Sequence, residues 1–64
     1  MNMDKQQRKD FVKNLVDRGI LLVRKNSTVV GIGYRVTCID EAKKKFRLTF
    51  GSGKNRKRYI VTLN

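Results

Sequence analysis

The chain has 64 residues, 39% of them hydrophobic, and its 16 Lys and Arg against five Asp and Glu give a formal net charge of +11. A chain this short buries only about 60% of its unfolded surface, so we expect one domain over residues 1–64 with a thin core. One cysteine and no histidine exclude an internal disulfide and a zinc cluster, and no apolar run approaches the roughly 18 to 20 residues that cross a bilayer, so a cytoplasmic protein without a membrane partner is expected.

Residues 4–18 have the pattern of an amphipathic helix. This stretch is rich in strong helix formers and contains no Gly or Pro. Its apolar side chains gather on one side: Phe11, Val12, Leu15 and Val16. Asn2 or Asp4 can cap the start, and Gly19 suits the left-handed position that follows a helix.

The pattern changes to strands after the helix. Residues 20–25 are apolar and β-branched enough to predict a largely buried strand. A turn at residues 25–27 leads to residues 28–39, which alternate as one long, bent strand. Its predicted core side chains are Val30, Ile32, Tyr34, Val36 and Cys38. Gly31 and Gly33 on the other side indicate bending or a close approach of backbone.

Two further strands complete the chain. A turn at residues 40–43 precedes a strand at residues 44–50, and a flexible loop at residues 51–55 precedes a strand at residues 58–63. The predicted inward side chains of these strands are Phe46, Leu48, Phe50, Tyr59, Val61 and Leu63. The fold class is therefore α+β, an N-terminal amphipathic helix packed on a four-stranded antiparallel β-meander. The alternative is a small SH3- or OB-like barrel with an N-terminal helix.

Positive charge is concentrated in the last third of the chain. Residues 1–41 hold eight basic and five acidic side chains, whereas residues 42–64 hold eight basic and none acidic. Alternation places cations from three strands opposite the core: Arg35, Lys45, Arg47 and Arg58. The sequence thus predicts a basic sheet face.

Residues 51–58 add a glycine-containing basic loop with Lys54, Arg56 and Lys57. Glycines allow backbone N–H groups to approach an oxyanion, and Lys and Arg supply charge. The spacing is not that of a Walker A loop, because no helix follows. A solvated, mobile hairpin tip is the alternative interpretation.

No residue pattern indicates catalysis or a cofactor. The tyrosines have no histidine to assist them, Cys38 suits a buried position, and Asp40 with Glu41 is too small an acidic set for a convincing Mg²⁺ or Ca²⁺ site. All five aromatic residues are assigned to the core, which favours phosphate and shape contacts over base stacking.

These features predict a small accessory nucleic-acid-binding protein that contacts phosphates of DNA or RNA and is not an enzyme. The predicted contact residues are Arg35, Lys45, Arg47, Lys54, Arg56, Lys57 and Arg58. The alternative is a modulator that docks on an acidic protein surface, with exposed Ile60 and either Ile20 or Leu22 as its apolar anchor. Homodimerisation would enlarge a thin core, and the size and charge also suit phage or regulatory proteins.

Overall fold

The computed structural model describes residues 3–51 and 53–63, which form an α-helix and an open sheet. The elements are α1 Lys5–Asp17, β1 Thr28–Gly31, β2 Tyr34–Asp40, β3 Lys45–Phe50, a 3-10 turn Gly53–Asn55 and β4 Lys57–Thr62. The strands are antiparallel in the order β1-β2-β3-β4. The predicted α+β meander is confirmed, and no pairing between β1 and β4 closes a barrel within the described residues.

The helix begins and ends close to the predicted positions. Asp4 Oδ1 accepts a hydrogen bond from Gln7 N at 2.8 Å, and Gln7 Oε1 accepts one from Asp4 N at 3.0 Å. This reciprocal capping box satisfies two backbone donors that the first turn leaves unpaired. Gly19 follows the C-cap Arg18 with a left-handed φ of 74°, as predicted. The other proposed cap, Asn2, lies outside the described residues.

The predicted strand at residues 20–25 is wrong. Leu21 is 1% exposed, but its neighbour Leu22 is 51% exposed. Leu21 N donates to the helix-terminal carbonyl of Leu15 at 3.1 Å, and Leu22 N donates to Ser27 Oγ at 3.2 Å. These amides are used to end the helix and close the connection, so they are not available for a strand ladder.

The predicted long strand at residues 28–39 is two strands joined by a tight hairpin. Gly31 pairs with Tyr34, which leaves Ile32 and Gly33 as a two-residue turn. Gly33 has a φ of 80°, the left-handed value that the third residue of a type II turn requires and that glycine adopts without strain. The four-stranded count is therefore correct, but its first two members were assigned to the wrong segments.

The hairpin reverses the direction of the chain, and this changes which side chains reach the core. Val30 pairs with Arg35, and cross-strand partners share a face. Val30 is consequently 64% exposed, and Ile32 at the turn is fully exposed, so both predicted core assignments are wrong. Val36 and Cys38 on β2 are buried as predicted.

The core lies between the helix and one face of the sheet, mainly against β3 and β4. Its buried members are Val12, Leu15, Leu21, Val36, Cys38, Phe46, Leu48 and Val61. The alternation predicted for β3 and β4 is confirmed, with Phe50, Tyr59 and Leu63 partly buried beside these residues. The predicted turns at residues 25–27 and 40–43 form around left-handed Asn26 and Lys44.

Aromatic rings cover the edge of the core next to the β1–β2 hairpin. The Phe11 ring meets Tyr34 edge-on, with centroids 5.0 Å apart, and Phe50 at 6.1 Å. The Tyr34 ring lies directly over Gly31, where a Cβ atom would overlap it. Glycine at this position therefore permits the close approach that the sequence indicated.

Replacing Gly31 with alanine should lower the free energy of unfolding by about 1–3 kcal/mol, because the added methyl group forces the Tyr34 ring away from Phe11. Urea denaturation measures this loss. In a Tyr34→Ala background the same substitution should cost much less, since the overlapping ring is gone. An equal loss of unfolding free energy in the two backgrounds would show that the Tyr34 ring is not the cause.

Candidate functional site

The face of the sheet opposite α1, the outer face, carries two transverse rows of side chains in the half nearer the β1–β2 turn. The row nearer the β1–β2 turn consists of Val30, Arg35, Thr49 and Arg58. The next row consists of Thr28, Thr37, Arg47 and Ile60. Antiparallel pairing thus brings together three arginines that are separated along the chain, and all three are exposed, as predicted.

The three arginines form a triangle, and Thr49 lies between two of them. Arg35 and Arg58 are the cross-strand partners of Thr49 on either side, which puts their Cα atoms about 10 Å apart, two strand spacings. Arg47 is diagonal to both, at about 7 to 8 Å. These separations are comparable with the Debye length of about 8 Å at physiological salt, so the three charges act together on a ligand.

A concavity of about 500 Å³ lies at this end of the outer face. It is lined by Arg35, Arg47, Arg56 and Arg58, which are the arginine patch, together with Val30, Tyr34, Thr49 and three glycines. Gly51 N donates to Gly33 O at 3.0 Å, which ties the residues after β3 to the β1–β2 turn. The arginine patch lies at this end of the sheet, where the β1–β2 turn meets the residues that follow β3.

Within residues 3–51 and 53–63, no carboxylate lies within ion-pair distance of the four arginines of the patch. An ion pair is formed on the helix, between Lys13 and Asp17 at 3.1 Å. The acidic residues lie elsewhere: Asp4, Asp10 and Asp17 on or beside α1, and Asp40 and Glu41 at the opposite end of the sheet. The patch therefore presents unpaired cations to solvent.

Arginine, rather than positive charge in general, distinguishes this site. The sequence contains seven arginines and nine lysines, and four arginines but no lysine line the concavity among the described residues. Lysine supplies a compact charge, whereas the planar guanidinium donates two parallel hydrogen bonds to an oxyanion. The presence of arginine rather than lysine at this concavity favours a ligand whose oxygen atoms are arranged as in a phosphate or a carboxylate.

The three predicted lysines lie outside this concavity. Lys45 is on the outer face but at the far end, opposite Asp40 and Thr62. Lys57 pairs with Phe50 and so belongs to the face that α1 covers. Lys54 lies in the 3-10 turn and is exposed. The loop predicted to be flexible thus contains a short helical turn, while Ser52 lies outside the described residues.

Two residues lie elsewhere than the sequence predicted: Val30 lies beside the arginine patch, and Arg8 lies against the opposite face of the sheet. Val30, assigned to the core, lines the concavity; the two glycines around Ile32 were the signal for the turn that moved it. Arg8, assigned to the outer surface of the helix, lies over the Tyr59 ring at 4.2 Å from its centroid. That cation–π contact holds Arg8 against the opposite face of the sheet.

The adjacent carboxylates Asp40 and Glu41 accept backbone hydrogen bonds. Asp40 Oδ1 accepts from Lys43 N at 3.0 Å, and Glu41 Oε1 accepts from Lys25 N at 3.3 Å. These contacts stabilise the β2–β3 turn and join it to the connection before β1. Within the described ranges no three His, Cys, Asp or Glu residues are grouped as metal ligands.

Over residues 3–51 and 53–63, no helix combines the length and the apolar character needed to cross a membrane. Comparison of the chain with known protein families, with curated proteins and with solved structures finds no match.

Proposed function

We propose that the protein is a small, non-catalytic accessory protein that binds nucleic acid through the outer face of its sheet. The observation that carries the proposal is the arginine patch, in which four guanidinium groups share one concavity and form no ion pair with a described carboxylate. A polyanion relieves the mutual repulsion of these groups and releases its own counterions on binding. Phosphates also match the fork of donors that arginine presents.

Contacts to phosphates, rather than to bases, are the proposed basis of affinity. The aromatic rings of the described strands lie on the face toward α1, and the one that borders the concavity, Tyr34, is packed against Phe11 and over Gly31. Base stacking on this face is therefore unsupported. Thr49, at the centre of the patch, adds a hydroxyl group that can donate to a phosphate oxygen. Such an interface positions a protein on nucleic acid with little direct readout of sequence.

A second candidate function is docking on an acidic protein surface. Ile60 is 58% exposed and is the direct cross-strand partner of Arg47. An apolar side chain beside a cation is the combination that protein interfaces use as an anchor. Ile20 and Leu22, the other predicted anchors, are also exposed. Homodimer formation is proposed on separate grounds, because β1 and β4 are sheet edges that a second copy could extend.

Binding to duplex DNA, single-stranded DNA or duplex RNA of equal length should be strongly dependent on salt. If the four arginines neutralise about four phosphates, the affinity for duplex DNA should fall roughly 150-fold when salt rises from about 50 to about 200 mM. Fluorescence anisotropy with end-labelled oligonucleotides measures this slope and ranks the three ligands.

An Ile60→Ala variant separates the two candidate functions in the same titration. Nucleic-acid affinity should change little, since Ile60 is not in the arginine patch, whereas docking on a protein would depend on it. An affinity that does not vary with salt, or no binding at low salt, would contradict the nucleic-acid proposal and leave the acidic protein surface as the partner.

A further inference from the structure

The apolar side chain at the β1–β2 turn has no role in the fold. Ile32 is fully exposed, more so than any other large hydrophobic residue of the described chain. A turn of this type favours residues such as proline at its second position and does not require a β-branched apolar one. An exposed isoleucine gains free energy only when a partner buries it.

The turn holds Ile32 in a defined position. Gly33 O accepts a hydrogen bond from Gly51 N at 3.0 Å, which fixes the turn to the residues after β3. The Tyr34 ring packs over Gly31 and against Phe11. Because the backbone on both sides of Ile32 is held in this way, little conformational entropy is lost when its side chain is buried by a ligand.

Ile32 lies at the border of the arginine patch. Its two neighbours, Gly31 and Gly33, both line the concavity that the four arginines share. A ligand that uses both features offers dense negative charge and, within a few ångströms of it, an apolar interior that one aliphatic side chain can enter. A free inorganic anion lacks the second property, whereas duplex DNA has both, with phosphates outside and stacked bases inside.

Building on the proposed function, we infer that Ile32 is a wedge for duplex DNA. The arginine patch holds the phosphates, and the Ile32 side chain enters the minor groove and inserts between two base pairs. Partial unstacking at that step bends the duplex away from the wedge. Pyrimidine–purine steps unstack more readily than A-tracts, so the wedge gives the protein a preference for flexible sequences without hydrogen bonds to bases.

The test uses two duplexes of about 20 base pairs, one with a central TA step and one with an A-tract, each carrying a fluorescence-transfer pair at its ends. Anisotropy reports affinity and energy transfer reports bending in the same sample. The unaltered protein should bend the TA duplex and bind it about tenfold more tightly than the A-tract duplex, a difference of the size expected from step deformability.

Ile32→Ala should remove the energy-transfer change and the preference, with about a tenfold loss of affinity for the TA duplex, as expected from unburying most of one aliphatic side chain. Ile32→Leu, which keeps an aliphatic side chain of the same size, should bend the TA duplex as the unaltered protein does. The matched control is Leu22→Ala, which removes a half-exposed aliphatic side chain near Ser27, at the other end of β1. This control should leave both readouts unchanged.

Two results obtained with Ile32→Ala would overturn the wedge while the proposed function stands. One is salt-dependent binding of the TA duplex with identical bending for the Ile32→Ala variant and the unaltered protein. The other is an equal effect of Ile32→Ala on single-stranded DNA, which would place the side chain against unpaired bases. If the unaltered protein binds single-stranded DNA or duplex RNA but no duplex DNA at low salt, the wedge fails and the proposed function stands; if it binds none of the three, both fail.

Discussion

Replacing Arg35, Arg47 and Arg58 together with alanine is expected to weaken binding to duplex DNA by about 1,000-fold at low salt, since each charge-assisted hydrogen bond contributes about 1.5 kcal/mol. The salt slope should fall by about one for each arginine removed. The fold should be retained, because all three side chains are exposed on the outer face and such substitutions usually change the free energy of unfolding by less than about 0.5 kcal/mol.

A second triple variant removes the same charge from another surface. Lys5, Arg18 and Arg24 are exposed and lie on α1 or the connection that follows it. Their replacement with alanine also lowers the net charge from +11 to +8, but should weaken binding only a few-fold through the general field of the protein. Equal losses for the two variants would show that binding follows net charge and not the arginine patch. Circular dichroism checks that both variants are folded.

Leu21→Ala is expected to lower the free energy of unfolding by about 2–5 kcal/mol, the range for a buried leucine that leaves a cavity. Leu21 is 1% exposed and belongs to the core although it lies in no helix or strand. A domain of this size has a total stability of only about 5 kcal/mol or somewhat more, so the variant should be close to unfolding at room temperature.

The adjacent Leu22→Ala substitution is the matched control. Leu22 is 51% exposed, so its removal should change the free energy of unfolding by no more than about 0.5 kcal/mol. Urea denaturation followed by circular dichroism measures both variants. Similar costs at the two positions would contradict the burial that the structure assigns and would instead fit the largely buried strand that the sequence suggested.

The helix, β3 and β4 were predictable because their signals are local. Residues 4–18 contain a cap, helix formers and a following glycine, and Asp4, Gln7 and Gly19 each act within one turn of the helix. In β3 and β4, alternation identifies the buried face, although Ile60 on the outer face of β4 is apolar. These patterns depend on the chain within a few residues, so no knowledge of tertiary contacts is needed.

The errors between the helix and β3 arose where distant contacts decide the structure. The run at residues 20–25 looks like a strand, but the amide of Leu21 bonds to Leu15 at the helix terminus and its side chain enters the core. Residues 28–39 alternate well enough for one strand, but the turn at Ile32 and Gly33 changes the face on which Val30 lies. A two-residue turn transfers side chains between faces without altering local composition.

The candidate site, like the fold, depends partly on local sequence and partly on distant contacts. The excess of positive charge and the outward positions of Arg35, Arg47 and Arg58 follow from composition and alternation alone. Strand register brought these three arginines together, the segment before β4 added Arg56, and Lys45, Lys54 and Lys57 lie outside the concavity. Residues far apart in sequence become neighbours only through backbone pairing. The cationic character of the protein is therefore a property of its sequence, while the arginine patch and the exposed Ile32 beside it are products of the tertiary structure.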